Sequence, residues 1–212
     1  MADISGIRKD YKLKTLNEAD VADEPMAQFT QWWQEAVASD ILEVNAMALS
    51  TVNSSGQPSS RIVLLKDYNS AGFTFYSNYQ SSKANDMDTS PHVSLLFFWK
   101  ELERQIRIEG IAQKADPSVS DAYFASRPFG SKIGAWASPQ SSVIDSRDVL
   151  EANTKNLEEQ YLNSEVDRPP HWGGYVVHPT AIEFWQGRAN RLHDRLKYIK
   201  ENDTWNLSRL AP

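Results

Sequence analysis

The hydrophobic pattern of this chain changes period at Ala46, and that change restricts the fold more than any other feature. Before it, Asp23-Glu24-Pro25 opens a segment in which Met26, Phe29, Trp32 or Trp33, Ala36 and Val37 recur at helical spacing. Proline stands at the first helical position, where its missing N–H costs nothing. After it, short apolar runs alternate with polar residues, separated by turn signals such as NSSGQP at 53–58 and NSAG at 69–72. Strands are predicted over 46–52, 60–68, 73–78, 92–99, 103–113, 174–177, 181–186, 192–199 and about 205–210. Runs this close together pair as antiparallel hairpins, and so many short strands favour a barrel over an open sheet.

Helices interrupt the series. Ser81 caps a short one that ends before Pro91, Asp116-Pro117 opens another to about Ser126, and a third runs over about 146–162 with Val149, Leu150, Leu157 and Tyr161. Between the last two, RPFGSKIGAWASPQSS at 127–142 is rich in small and turn-forming residues and has no clear period. The expected class is mainly β with inserted helices (α+β). No repeat, low-complexity tract or interior linker divides it, so residues 23–212 are expected to form one domain. Residues 1–22 are polar and expected to be a flexible segment, with Arg8, Lys9 and Lys12 beside Tyr11.

Composition removes several classes of function. Twenty-two Lys and Arg against 28 Asp and Glu leave a formal charge of −6, which argues against a general nucleic-acid or anionic-membrane binder but not against a local basic pocket. With no cysteine there is no disulfide, thiolate nucleophile or Cys-based metal site. The amino terminus lacks the apolar core of a secretion signal, and the most apolar run, 93–99, is too short to span a bilayer. A cytoplasmic protein with no membrane or nucleic-acid partner is expected. No dinucleotide-binding, phosphate-loop, zinc-protease or serine-hydrolase motif occurs, and the four histidines have no metal-ligand spacing.

The densest unusual chemistry is EFWQGRANRLHDR at 183–195, where Arg188, Arg191, His193 and Arg195 follow Phe184 and Trp185. If this segment leaves one strand and enters another, alternation places Arg191, His193 and Arg195 on one face, where they repel unless an anion lies across them. A solvated basic turn is the ordinary reading. The acidic chain and the flanking Trp185 and Tyr198 favour a partly covered site for an anion with a flat aromatic part, since guanidinium planes pair with phosphate and stack on rings.

Other candidates are weaker alone. RIVLLK, Arg61 to Lys66, is an apolar strand with a cation at each end, either snorkelling to water or facing a ligand. Strict alternation puts Arg61 and Lys66 on opposite faces, so a shared ligand needs a bulge or a strand end. Ser81, Ser82 and Lys83 at a helix start are either a cap or a phosphate seat. Gln105 lies beside the apolar Ile106 and, facing inward, needs a backbone partner or a ligand edge. Tyr123, Arg127, Ser131 and Lys132 gather four donors suited to a phosphate within ten residues.

Taken together, RIVLLK, the Ser-Lys-Ala ending at Ala84, LERQ at 102–105, SRP at 126–128, IGAWAS with PQSS, HWGG at 171–174, and FWQG with RLHDR and a terminal RLAP resemble the pyridoxamine 5'-phosphate oxidase family over nearly the whole chain. The resemblance implies a homodimeric FMN-binding split β-barrel, with FMN at the subunit interface and PQSS and FWQG contributed across subunits. It implies oxidation of pyridoxamine or pyridoxine 5'-phosphate to pyridoxal 5'-phosphate, with O2 as acceptor yielding H2O2. The positions matching its flavin contacts are Arg61, Ile62, Val63, Leu64, Leu65, Lys66, Tyr76, Ser77, Ser82, Lys83, Gln105, Gln140, Ser141, Trp185 and Arg195. Those matching its substrate contacts are Lys66, Tyr123, Arg127, Ser131, Arg191, Leu192 and His193, with Arg191 and His193 acting on the reacting substrate. Arg8, Lys9, Asp10 and Tyr11 resemble a segment that covers the substrate. One departure is Ser82, where the family usually has arginine. Two other classes compete: a non-catalytic flavin- or haem-binding split barrel, and a phosphate-binding regulatory module without a redox cofactor.

Overall fold

The computed structural model describes residues 4–6 and 9–212. Among these residues five α-helices and nine strands follow in the order α1 (Pro25–Val37), β1 (Ala46–Val52), β2 (Pro58–Leu64), β3 (Asp67–Asn69), β4 (Gly72–Asn78), α2 (Ser82–Thr89), β5 (His92–Trp99), β6 (Arg104–Lys114), α3 (Pro117–Ala125), α4 (Phe129–Ala137), α5 (Arg147–Gln160), β7 (Trp172–Gln186), β8 (Asp194–Glu201) and β9 (Thr204–Arg209). The strands form one sheet in the order β2-β1-β5-β6-β7-β4-β3, with β8 paired to β7 and β9 to β8. No helix among the described residues is long and apolar enough to cross a membrane.

The chain divides into two compact units. One holds residues up to Leu49 with Ser94–Gly110 and Pro179–Pro212; the other holds Ser50–Val93 and Ile111–His178. In the first, the apolar stripe of α1 buries Phe29 and Trp32 with Phe97, Phe184 and Tyr198. Their rings meet edge-on or tilted: Phe29–Phe97 at 5.6 Å, Trp32–Phe184 at 5.2 Å and Phe184–Tyr198 at 5.8 Å. Each such ring contributes about 1.5–3 kcal/mol by leaving water. The Tyr198 hydroxyl, sealed in with them, donates to the Ala22 carbonyl at 2.6 Å. In the second unit, Phe124, Ile133, Val166 and Trp172 form a core against which Tyr76, Tyr123, Trp136 and Tyr161 pack.

Three local features depart from the sequence reading. The stretch 127–142 contains α4, whose buried Ile133 and Ala137 are one helical turn apart. Gly130 and Gly134 lower its intrinsic propensity and hide the pattern, so packing decides. The strand expected over 60–68 is broken, since β2 stops at Leu64, Leu65 turns into the core and the Lys66 N–H donates to the Thr74 carbonyl at 2.9 Å. The two strands expected over 174–177 and 181–186 are one, β7, which runs through Pro179. Its first half pairs with β4 up to Val177 and its second with β8 from Ala181, so the proline falls between those two ladders.

Candidate functional site

The break after β2 resolves the difficulty of Arg61 and Lys66. Once the strand ends at Leu64, both cations reach a single cavity of about 530 Å³ whose wall includes Ile62, Val63 and Leu64. Leu65 does not join them; it is 4% exposed and packs inward. At the far side β4 delivers Tyr76, Ser77 and Asn78, α2 delivers Ser82 and Lys83, and the loop after α4 delivers Gln140 and Ser141.

Lys83 is buried, and among the described residues its ammonium donates only to neutral groups: Ser77 Oγ at 3.2 Å, Ser81 Oγ at 3.2 Å and Gln140 Oε1 at 3.5 Å. Burial, then the nearby Arg61, push its pKa below the usual lysine value. A buried ammonium without a carboxylate is expensive unless an anion completes it. Arg61 is tied to Thr51 Oγ1 at 2.7 Å and Ser59 Oγ at 2.9 Å, with the Asp86 carboxylate at 3.9 Å. Ser81 does not cap α2 as expected, because its hydroxyl donates to the Asn78 carbonyl at 2.8 Å and accepts from Lys83.

Part of the cavity's lining is aromatic. Tyr76 and Tyr123 stack at 3.9 Å, and Tyr76 lies parallel to Trp172 at 5.3 Å. Arg127 sits over Trp172 at 4.5 Å and Phe124 at 5.4 Å, and its buried Nη1 has no hydrogen-bond partner among the described residues. Burial lowers its pKa. Ser131 lines an adjoining cavity of about 270 Å³ that shares Arg127, Asn78, Gln140 and Trp172 with the first. Lys132 does not belong to this cluster; it lines a separate hollow with Asp121, Glu165 and Arg168. Trp172 and Asn78 were not singled out by sequence reasoning, although HWGG drew attention to the neighbourhood of the first.

The remaining candidates lie in the first unit. Trp185 is directly opposite Arg195 in the β7–β8 ladder. Arg195 Nε donates to Glu183 Oε1 at 2.7 Å and Nη1 to the Ala211 carbonyl at 2.9 Å. That bond to Glu183 raises its pKa. Gln105 does not face inward as expected. Alternation along β6 buries Arg104 and leaves Gln105 half-buried on the same face as Arg107. Arg104 takes the inward place, over Trp32 at 4.1 Å, donating to Gln186 at 2.9 Å and Glu35 at 3.0 Å.

Arg191, His193 and Arg195 do not share one strand face. Asn190 and Arg191 adopt left-handed backbone, with φ of 57° and 65°, and β8 begins only at Asp194. Leu192 is exposed. His193 Nδ1 accepts from the Arg188 N–H at 3.1 Å, which leaves the proton of the neutral ring on Nε2. Burial, then Arg191, lower its pKa, with Asp194 opposing. Its ring lies 4.5 Å from Trp185 and 6.0 Å from Tyr11. Lys9, Asp10 and Tyr11 close a cavity of about 310 Å³ over Arg191 and His193, whereas Arg8 lies outside the described residues. Tyr11 rests on Gly187, where an added Cβ would fall 2.7 Å from the ring.

Two carboxylates that sequence reasoning missed hold this segment. Glu103 accepts from the Lys12 N–H at 2.8 Å and the Leu13 N–H at 3.1 Å; Asp194 accepts from the Leu16 N–H at 3.1 Å and from Arg188 and Arg209. Both lie inside motifs noted in the sequence, LERQ and RLHDR, but nothing local shows that they hold the amino-terminal segment, since the N–H groups they accept from are 91 and 178 residues away.

The topology is shared with known structures. A pyridoxamine 5'-phosphate oxidase-related, FMN-binding protein from Nostoc punctiforme superposes with a TM-score of 0.71 over 89% of this chain and 98% of its own, at 14% identity. The fold is thus mainly β, the split-barrel architecture of that neighbour. Two family models match this chain: pyridoxamine 5'-phosphate oxidase over residues 33–161, and the pyridoxine 5'-phosphate oxidase C-terminal dimerisation region over 172–212. A pyridoxine/pyridoxamine 5'-phosphate oxidase from Cyanothece sp. is 52% identical over 99% of this chain and 98% of its own, and one from Burkholderia lata is 52% identical over the full length of both. The chain belongs to the pyridoxamine 5'-phosphate oxidase family. PhzG from Burkholderia lata, solved in complex with tetrahydrophenazine-1-carboxylic acid, has a TM-score of 0.89 at 29% identity over 94% of this chain and 99% of its own. The matched dimerisation region supports a homodimer.

Proposed function

We propose that this chain is an FMN-dependent pyridoxamine-phosphate oxidase that converts pyridoxamine or pyridoxine 5'-phosphate to pyridoxal 5'-phosphate. The observation that carries this is the pair of incompletely neutralised cations in one cavity: Lys83 with neutral partners only, and Arg127 with an orphaned Nη1. Each suits a phosphomonoester carrying about −1.5 to −2 charges. Arg61, Ser82 and Lys83, with Ser77, Gln140 and Ser141, would hold the FMN phosphate. Ile62, Val63 and Leu64, with Lys66 and Tyr76, would line its passage, and Gln105, Trp185 and Arg195 would meet its ring. Lys66, Tyr123, Arg127 and Ser131 would seat the substrate phosphate.

Bound FMN would supply the two-electron acceptance that no side chain here offers, with O2 taking the electrons on as H2O2. Arg191 and His193 would orient the pyridine ring and its C4' substituent, His193 donating through Nε2–H because Nδ1 is already accepting. Lys9 to Tyr11, with Arg8 before them, would cover the substrate and exclude water. In the homodimer, PQSS and FWQG with Arg195 would come from different subunits, and residues 23–212 would act as one domain.

A second reading, oxidation of a tetrahydrophenazine carboxylic acid, draws on the likeness to PhzG. A carboxylate brings a single charge, for which the set of Lys66, Tyr123, Arg127 and Ser131 is oversupplied, and we favour the phosphate. The test is purification of a yellow protein that releases FMN with acid, followed by peroxide measurement. Peroxide on adding pyridoxamine 5'-phosphate supports the proposal. FMN-loaded protein that releases none would turn attention to the phenazine substrate or to a non-catalytic flavin carrier.

A further inference from the structure

The proposed reaction gives no task to Glu183, a carboxylate 3% exposed on β7. A charge so far from water persists only when it is paired and hydrogen-bonded. Both oxygens are engaged: Oε1 by Arg195 Nε at 2.7 Å and Oε2 by Arg107 Nη1 at 3.1 Å. The cluster continues outward, for Arg107 also meets Glu109 at 3.5 Å and Lys197 meets Glu109 at 3.3 Å. In the ladder Glu183 is opposite Lys197 and Trp185 is opposite Arg195, so the carboxylate lies two residues from Trp185 on the same strand face.

Arg195 is therefore held twice, by Glu183 through Nε and by the Ala211 carbonyl through Nη1 at 2.9 Å. Among the described residues, the donors remaining are on Nη2 and the second hydrogen of Nη1. An arginine free in solution surrenders several rotatable bonds when it meets a ligand; here the folded chain has already restricted them. Arg107 supplies the second positive charge that lets a buried carboxylate stand between two guanidinium groups.

We propose that Glu183 is the positioning residue for Arg195, fixing its guanidinium plane so that the free donors meet acceptor atoms of a flavin ring. This rests on the flavin reading above. Arg195 makes the ligand contact; Glu183 acts only through it, with Arg107 as its counterweight.

The experiment is a double-mutant cycle on FMN binding, titrating apoprotein of the full chain and following quenching of flavin fluorescence. E183Q keeps the shape and one acceptor oxygen but loses the charge, and is expected to weaken FMN binding about tenfold, the scale of one hydrogen bond to a charged group. R195Q should weaken it at least as much. The deciding value is E183Q/R195Q, expected to match R195Q within about twofold, because a residue that acts through another has no effect once the other is gone. Additive losses would overturn the assignment and make Glu183 a structural residue with a general effect on the fold. If E183Q does not accumulate as folded protein, E183D and E183D/R195Q are read in the same cycle, since the shorter carboxylate keeps the charge but withdraws from Arg195. Wild-type protein that takes up no FMN would overturn the flavin reading itself, an outcome distinct from additivity in a wild type that binds.

Discussion

Arg127 offers the sharpest separation between holding a fold together and holding a ligand, and the informative substitution is Arg127→Met. Its guanidinium lies 4.5 Å over Trp172, and Nη1 is buried without a partner. Removing the charge forfeits a cation–π contact of about 0.5–2 kcal/mol. It also removes an unsatisfied buried donor that costs about 1–3 kcal/mol. Methionine fills most of the volume, so the two effects largely cancel and folding stability should move by no more than about 1 kcal/mol, or about 2–4 °C in Tm for a chain of this size. The ligand has no such compensation. A phosphate that loses one or two charge-assisted bonds, each about 1.5–3 kcal/mol, is expected to lower kcat/KM by about 10²- to 10⁴-fold. Thermal melts of the apoprotein and steady-state kinetics with pyridoxamine 5'-phosphate, FMN saturating, measure both. A melting point lowered by more than about 8 °C with kcat/KM within about threefold of wild type would make Arg127 a core residue and refute the phosphate seat.

Three further outcomes are expected. Ser82→Arg, which sets a second cation beside Lys83, should tighten FMN binding by about 10- to 150-fold at low salt and less at high salt, leaving the substrate KM unchanged; equal dissociation constants at both salts would mean position 82 does not face the phosphate. His193 is held below the ordinary histidine value of 6.5, so below pH 6.5 the unfolded chain binds more protons than the folded one and stability falls as the pH drops; His193→Gln should flatten that slope in melts taken across the range, and an unchanged slope would contradict it. Sedimentation of the FMN-bound protein at micromolar concentration should give twice the 24.0 kDa chain mass, and a monomer that retains FMN would exclude a shared site.

Most strands were legible because alternation and turn residues are local properties. β1, β4 and β5 end where their apolar runs end. The misses have tertiary causes. α4 is a poor helix by composition and exists because Ile133 and Ala137 have a core to enter. Pro179 reads as a strand break, yet β7 changes partner there. At the site, the residue types were legible but their directions were not. Arg61 and Lys66 share a cavity only because Leu65 turns inward, and Arg191 leaves the face of Arg195 because two consecutive residues adopt left-handed backbone. Glu103, Glu183 and Asp194 lie inside quoted motifs, but their supporting roles do not show there, since Glu103 and Asp194 accept from backbone N–H groups far along the chain and Glu183 from Arg107.

The central claim is that this chain moves two electrons from the C4' carbon of a pyridoxyl phosphate through a bound flavin to oxygen. The most direct measurement is an anaerobic titration of FMN-loaded protein with pyridoxamine 5'-phosphate, recording the flavin and pyridoxal 5'-phosphate absorbance together. The predicted result is bleaching of the flavin band with one equivalent of pyridoxal 5'-phosphate per FMN, and return of the band when oxygen is admitted. A flavin band that stays unbleached at saturating substrate, with no pyridoxal 5'-phosphate formed, would contradict it.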